Sequence, residues 1–353
     1  MERYPPAGTR VCLGSLLLHV SPKPRRCMGR NRVSQRPLSN DAEPRSVSRR
    51  RAVALSCLIV LGGVAYLGLR PPAAIVPYLT ADRPAAVAGQ DAPPITGQPE
   101  ARIAVAGDTG TGDAAERATV ARMVAEGEQW PYDAVLLLGD LIYDAGDAAL
   151  LDRAVRTPFA PLLDGGTRLL PVLGNHDYGS GEQQDILTGL GQERPWYVAQ
   201  VGSLRIVVLD SNRVQDAEQT RWLRATLATP QPRGIWTVAA MHHPAYSAGH
   251  HGSDLAVRRA WGPLFADAGV PLVLAGHDHD YQRSTSQDGV TYVVSGAGAQ
   301  TRRVGSADFT AVSSATLHYL DLLVYRDRIV GRAIDQAGNL VDSFTLTWDD
   351  AAG

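Results

Sequence analysis

Five short motifs in this 353-residue chain carry side chains that can grip a cation. They are Gly107-Asp108, Gly139-Asp140, Gly174-Asn175-His176-Asp177, Met241-His242-His243-Pro244 and Gly276-His277-Asp278-His279. Carboxylate, amide and imidazole donors in one set suit borderline-hard ions such as iron, zinc or manganese. A single Gly-Asp is ordinarily a turn. Five such blocks in one stretch of chain, with His277 and His279 spaced to ligate as a pair, point instead to a metal centre.

Each motif follows a short apolar run, and the runs explain how such distant residues could meet. Ile103 to Ala106, Ala134 to Leu138, Leu169 to Leu173, Ile235 to Met241 and Pro271 to Ala275 read as buried strands that stop abruptly at the polar block. Loops leaving the C-terminal ends of such strands share one rim of a sheet, where side chains can converge. Helical stretches lie between them: Asp113 to Glu128, Asp216 to Leu227, and Ser253 to Asp267 with Ser253 as the expected cap. After Gly289 the chain turns to strands at Val290–Val294, Leu317–Tyr325, Arg328–Ile334 and Leu340–Trp348, with turns at Asp288-Gly289 and Ala337-Gly338. Alternation of strand and helix argues for an α/β class.

Composition narrows the chemistry. Residues 1–70 hold 13 basic against 3 acidic side chains, net +10, and the remainder holds 21 against 33, net −12. An acidic body is not expected to bind nucleic acid, which needs clustered positive charge. Cys12, Cys27 and Cys57 all precede residue 60, so the body offers neither a disulfide nor a thiolate ligand. Its metal must be held by His, Asp, Glu, Asn or Tyr.

Four segments follow from the same reading. Residues 1–51, rich in Arg, Ser and Pro, are expected to be disordered. Residues 52–69 are uncharged between Arg51 and Arg70 and would span about 27 Å as a helix. They read as a membrane anchor or an export signal, leaving the motif-bearing part membrane-tethered and exported (periplasmic or extracellular), or secreted after cleavage. An Arg-rich, acid-poor start also fits an organelle transit peptide. Residues 70–100, with prolines at 71, 72, 77, 84, 93, 94 and 99, read as a linker. Residues 101–348, which hold all five motifs, read as one domain.

With Thr109-Gly110 after Asp108 and Leu141-Ile142-Tyr143 after Asp140, the five blocks resemble those of calcineurin-like metallophosphoesterases. Among these they resemble the small, single-domain purple acid phosphatases, in family order across the whole body. The wider superfamily has Asp-x-His at the first block; here Gly110 replaces that His, and Tyr143 is the replacement ligand of the purple type. The resemblance implies a four-layer αββα sandwich with a dinuclear metal site at the strand C-termini. It implies that Asp108, Tyr143 and His279 hold the first ion, Fe(III). Asn175, His242 and His277 would hold the second, which is Fe(II), Zn or Mn, with Asp140 bridging both.

The same resemblance implies hydrolysis of phosphate esters, phosphomonoesters before diesters or nucleotides, by a hydroxide formed at the ion pair. The substrate is expected to be a small phosphate ester or a phosphoprotein, with no obligate protein partner. His176 would orient the phosphate with Asp177 holding its ring, and Asn175 and His243 would also face the substrate. His251, nine residues after His242, would protonate the leaving oxygen, with His250 or His243 as alternatives. Asp210 and Arg283 read as structural. The fibronectin-like module of the large plant-type members has no counterpart before residue 101, and the loops between blocks match no subtype, so substrate preference does not transfer. A non-catalytic module that has kept the fold is the reading from another class.

Overall fold

The protein is described here by a computed structural model that places residue 92 and residues 94–348. The basic segment 1–51, the apolar segment 52–69 and most of the linker lie outside these residues. Among the described residues no helix is long and apolar enough to cross a membrane.

Thirteen strands are described, in two sheets. In the first, β1 (Ala101–Ala106), β2 (Ala134–Leu137) and β3 (Arg168–Pro171) run parallel, and β11 (His318–Val324), β12 (Arg328–Asp335) and β13 (Leu340–Thr347) extend the β1 edge as an antiparallel meander. In the second sheet, β5 (Leu204–Val208), β6 (Trp236–Ala240), β7 (Leu272–Ala275) and β9 (Thr291–Ser295) run parallel. β4 (Tyr197–Val201), β8 (Tyr281–Ser284) and β10 (Thr310–Ser314) complete it antiparallel.

Strict alternation along the strands builds the layers, because successive side chains point to opposite faces. Ile103, Val105, Leu136 and Leu170 face Ile206, Val208, Trp236 and Leu274 across the space between the sheets. The intervening residues Ala104, Ala106, Val135 and Leu137 turn outward onto Val120 and Met123 of α1 (Ala114–Gly127) and Phe159 of α2 (Thr157–Leu163). On the other side, Val207, Ala239 and Val273 pack on Leu223 of α4 (Ala217–Leu227) and Val257, Trp261 and Phe265 of α5 (Leu255–Asp267). Helices, sheet, sheet, helices: the four-layer expectation holds. Both faces of both sheets are covered, which is why the central strands read as unbroken apolar runs.

The parallel arrangement in each sheet sends the exits of β1, β2 and β3, and those of β6 and β7, toward a common rim, and the two rims touch. The Gly107 amide donates to the Ser295 carbonyl at 2.7 Å, and the His277 amide donates to Asp108 Oδ2 at 2.8 Å. One strand exit from each sheet is thereby tied directly to the other.

Asp113 and Asp216 cap α1 and α4 as the sequence suggests. The cap of α5 is Asp254, whose carboxylate accepts from the Ala256 and Val257 amides at 2.8 and 2.9 Å. Ser253 is not the cap; its hydroxyl instead accepts from the Ser247 amide and the Arg258 guanidinium. The sequence reading also passed over β4, β8, β10, α2 and α3 (Gln183–Gly189). Replacing Asp254 by Ala should therefore lower unfolding stability by about 1 kcal/mol, read as a shifted denaturant midpoint at constant slope. An unchanged midpoint would remove Asp254 as the cap.

Candidate metal centre

Strand exits impose the local backbone at the centre. Asp108 (φ 57°), Asp140 (φ 53°) and His277 (φ 73°) all adopt the left-handed conformation that L-residues avoid. Such residues cost about 1–3 kcal/mol each and persist where surrounding structure over-determines them, commonly at functional sites. Here the left-handed turn reverses the chain at the strand end and folds the side chain back over the rim.

The seven residues expected as ligands meet. Tyr143 Oη lies 3.2 Å from Asp108 Oδ1, 3.1 Å from Asp140 Oδ2 and 3.2 Å from His279 Nε2. His279 Nε2 is 3.4 Å from Asp108 Oδ1. On the other side, His242 Nε2 is 3.1 Å from Asn175 Oδ1, 3.2 Å from His277 Nδ1 and 3.5 Å from Asp140 Oδ1. Asp140 thus touches both groups, one oxygen toward each. Donor atoms of Asp108, Asp140 and His242 lie within 4.8 Å of one another.

Second contacts fix which atom faces inward. His242 Nδ1 is spent on the Leu138 carbonyl at 2.8 Å, which leaves the Nε2 lone pair for the centre. Burial and then the charge of Asp140 push the Asp108 carboxyl well above the usual carboxylate range. Burial followed by the two carboxylates pushes the Tyr143 phenol upward. Burial and then neighbouring imidazoles hold His242 and His277 well below the ordinary histidine value, and burial and then Arg302 bring His279 to about 4. Neutral imidazoles beside buried carboxyl and phenol oxygens that resist ionisation form a donor set short of positive charge, which is what cations would supply.

Gly110 occupies the place where a histidine ligand would stand in the wider superfamily, and the reason is steric. A Cβ there would lie 2.5 Å from the Ile142 amide nitrogen. The segment that fills the space is the one that delivers Tyr143: the Gly110 amide donates to the Asp140 carbonyl, and the Tyr143 amide donates to the Gly110 carbonyl. Glycine at 110 and tyrosine at 143 belong to one backbone arrangement.

His176 stands beside the ligands. Its amide donates to Asp140 Oδ1 at 2.9 Å, its Nδ1 meets the Asp144 carbonyl at 2.5 Å, and its Nε2 is 3.9 Å from Asp140 Oδ2. Asp177 does not hold that ring, contrary to expectation. It is fully buried and accepts from the Leu141, Ile142 and Gly174 amides at 2.9, 3.0 and 2.7 Å. A buried carboxylate with three backbone donors braces two ligand-bearing loops against each other and has no access to substrate. His243 is half-buried, with its ring centroid 4.5 Å from that of His277 and Nδ1 2.8 Å from Ser211 Oγ. His251 is exposed, its ring 4.3 Å from that of His277. His250 is 4.8 Å from His251 and likewise exposed. Asp210 receives the Tyr178 hydroxyl and caps a turn, and Arg283 pairs with Asp342, both structural as read.

Three contributors went unread in the sequence. Asp278 is buried and accepts from the His251 amide at 2.7 Å, from Gly252 at 3.2 Å and from the Ser247 hydroxyl, shaping the loop that carries His250 and His251. Its place between His277 and His279 was the available signal. Ser211 tethers His243, and Arg302 donates to His251; neither lies in a motif that could have marked it.

Residues 101–281 match the family described as calcineurin-like phosphoesterase. The chain belongs to that family. Among the relatives it resembles are an uncharacterized protein of Mycobacterium tuberculosis, 33% identical over 193 residues (42% of this chain, 34% of that protein), and human tartrate-resistant acid phosphatase type 5, 29% identical over 200 residues (47% of this chain, 61% of the enzyme). The chain therefore spans only part of each relative's length. Its fold is like that of a purple acid phosphatase from yellow lupin seeds, with TM-score 0.63 at 18% identity, covering 72% of this chain and 55% of the other. All five motif blocks lie inside the calcineurin-like phosphoesterase match.

The bracing role of Asp177 separates positioning from chemistry. Asp177→Asn puts an amide N–H against a backbone N–H and should weaken metal retention about 10- to 100-fold, read as metal content after dialysis against a weak chelator. Saturating metal should then restore most turnover. Full metal retention with abolished turnover would make Asp177 a reacting group after all.

Proposed function

We propose that this domain hydrolyses phosphate esters, phosphomonoesters by preference, at two metal ions held by the seven converging side chains. Asp108, Tyr143 and His279 are assigned to the first ion, taken as Fe(III) because a phenolate is a hard anionic donor. Asn175, His242 and His277 are assigned to the second, taken as Fe(II), Zn or Mn, with Asp140 between them. The observation that carries the reading is the pair of contacts made by Asp140, one oxygen near Tyr143 and the other near His242. A carboxylate shared this way reduces repulsion between two cations. When bound, such ions supply the nucleophile and neutralise charge on the phosphoryl group.

The chain's own groups do the rest. His176 is held with Nδ1 donating to the Asp144 carbonyl, so Nε2 would donate to a phosphoryl oxygen as the imidazolium. His243, tied through Nδ1 to Ser211, has Nε2 left for the substrate side. His251 Nε2 accepts from Arg302 at 3.1 Å, the wrong polarity for a proton donor at that atom. We therefore prefer His243 over His251 for protonating the leaving oxygen. A cavity of about 410 Å³ opens beside Tyr143 and Asp144, lined also by Thr111, Asp113, Arg153 and Gln300.

Metal analysis combined with turnover of p-nitrophenyl phosphate and its bis-ester tests this reading. We expect about two ions per chain, a visible tyrosinate-to-iron absorption lost in Tyr143→Phe, and a monoester rate exceeding the diester rate. An active but iron-free and colourless protein would reject Fe(III). Asp140→Ala should lower kcat/KM by at least about a thousandfold, and undiminished activity in that variant would reject the catalytic assignment.

A further inference from the structure

Arg302 lies in the segment between β9 and β10, after the last metal-ligand motif, yet the fold returns it to the centre. The Arg302 amide donates to the His279 carbonyl at 2.8 Å, Gly298 donates to Gly107 at 3.1 Å, and Gly305 donates to Ala248 at 3.0 Å. These bonds fasten the segment to the residue before Asp108, to the ligand His279 and to the loop that carries His250 and His251. The half-buried guanidinium reaches across that loop, Nη1 donating to His251 Nε2 at 3.1 Å. The His251 ring in turn lies 4.3 Å, centroid to centroid, from that of His277.

Arg102 and Arg332 share Asp321, and Arg283 has Asp342, but no carboxylate pairs with Arg302 among the described residues. Its Nε and Nη2 also have no protein acceptor among those residues. A half-buried arginine, held by its backbone beside the candidate metal centre with Nε and Nη2 free of protein acceptors among the described residues, is placed to take an anion. The planar fork matches phosphate oxygens in pairs.

The geometry points to Arg302 as a phosphate-binding residue that selects the doubly charged phosphoryl group of a monoester over the singly charged one of a diester. This deepens the phosphoesterase reading and rests on it. A diester presents one fewer free oxygen and one fewer charge, so it gains less from the same guanidinium. The competing role is structural: Arg302 would only brace His251.

The test uses the metal-loaded full chain with Arg302→Met and Arg302→Lys. Two quantities are read: inorganic phosphate binding by calorimetry, and steady-state constants for p-nitrophenyl phosphate and its bis-ester. Arg302→Met should weaken phosphate binding and raise the monoester KM about 10- to 100-fold, while kcat/KM for the bis-ester falls by less than about threefold. Arg302→Lys, which keeps the charge and loses the fork, should recover part of the loss and controls for misfolding. Phosphate affinity within about twofold of the parent in both variants overturns the proposal, as does an equal loss on both esters. If the parent protein binds phosphate but hydrolyses neither ester, the hydrolase reading fails, and the binding data alone decide the role of Arg302.

Discussion

Asp108 and Asp140 are buried together at the seam between two sheets, and almost everything at the site answers to that crowding of negative charge. Carboxylates in close company resist ionisation, and burial adds to the resistance, as the upward displacement of Asp108 records. Backbone amides relieve part of it: Asp108 takes the His277 amide and Asp140 takes the His176 amide. A phenol and three imidazoles without charge surround what remains. Such a cluster is costly as a purely structural feature, because a core of apolar side chains would be at least as stable. Its sense lies in cations, whose charge turns the same crowding into affinity.

Gripping two ions requires groups from both sheets, and here the fold supplies a second kind of carboxylate. Asp177 and Asp278 are as deeply buried as the ligands, but their oxygens are spent on amides and a hydroxyl of the chain itself. Asp177 locks the exit of β2 to that of β3. Asp278 locks the loop after β6 to the exit of β7. Backbone strain at Asp108, Asp140 and His277 is sustained by these locks and by the contact between the sheets. The candidate ligands are thus held in place by hydrogen bonds of the chain itself.

The convergence of these side chains was legible because each motif block follows an apolar run, and a strand that ends abruptly at polar residues leaves a signal readable without any contact map. The αββα layering was legible for the same reason: strands buried on both faces have no alternation to obscure them. Less was legible where function depends on contacts distant in sequence. Asp177 follows His176 directly, yet its carboxylate turns toward Leu141 and Ile142, 36 and 35 residues earlier. Nothing in its spacing distinguishes a brace from a ring-orienting partner. The cap of α5 failed on a finer point: Ser253 and Asp254 are both good caps, and Arg258 recruits the serine. β8 and β10 were missed because Gln282 and Arg283, or Ser313 and Ser314, do not read as an apolar run.

Specificity has a different address from metal binding. The five motif blocks place the candidate ligands and the groups nearest them, and these arise from strand exits. On the proposed reading, discrimination among phosphate esters would fall to segments the strands do not dictate: the 246–252 loop shaped by Asp278, the Thr111–Asp113 turn, and the 296–305 segment, which places Gln300 in the cavity beside Tyr143 and Arg302 against His251. Each is tied to the rim by a few backbone hydrogen bonds and is otherwise free to differ in length and charge. Arg302 stands on the side of His251 and His279, bound to the first through its guanidinium and to the second through its amide, so the proposed phosphate contact would not displace a candidate ligand. The site thus separates a rigid part, where the ions are held, from a replaceable part, where the identity of the ester is read.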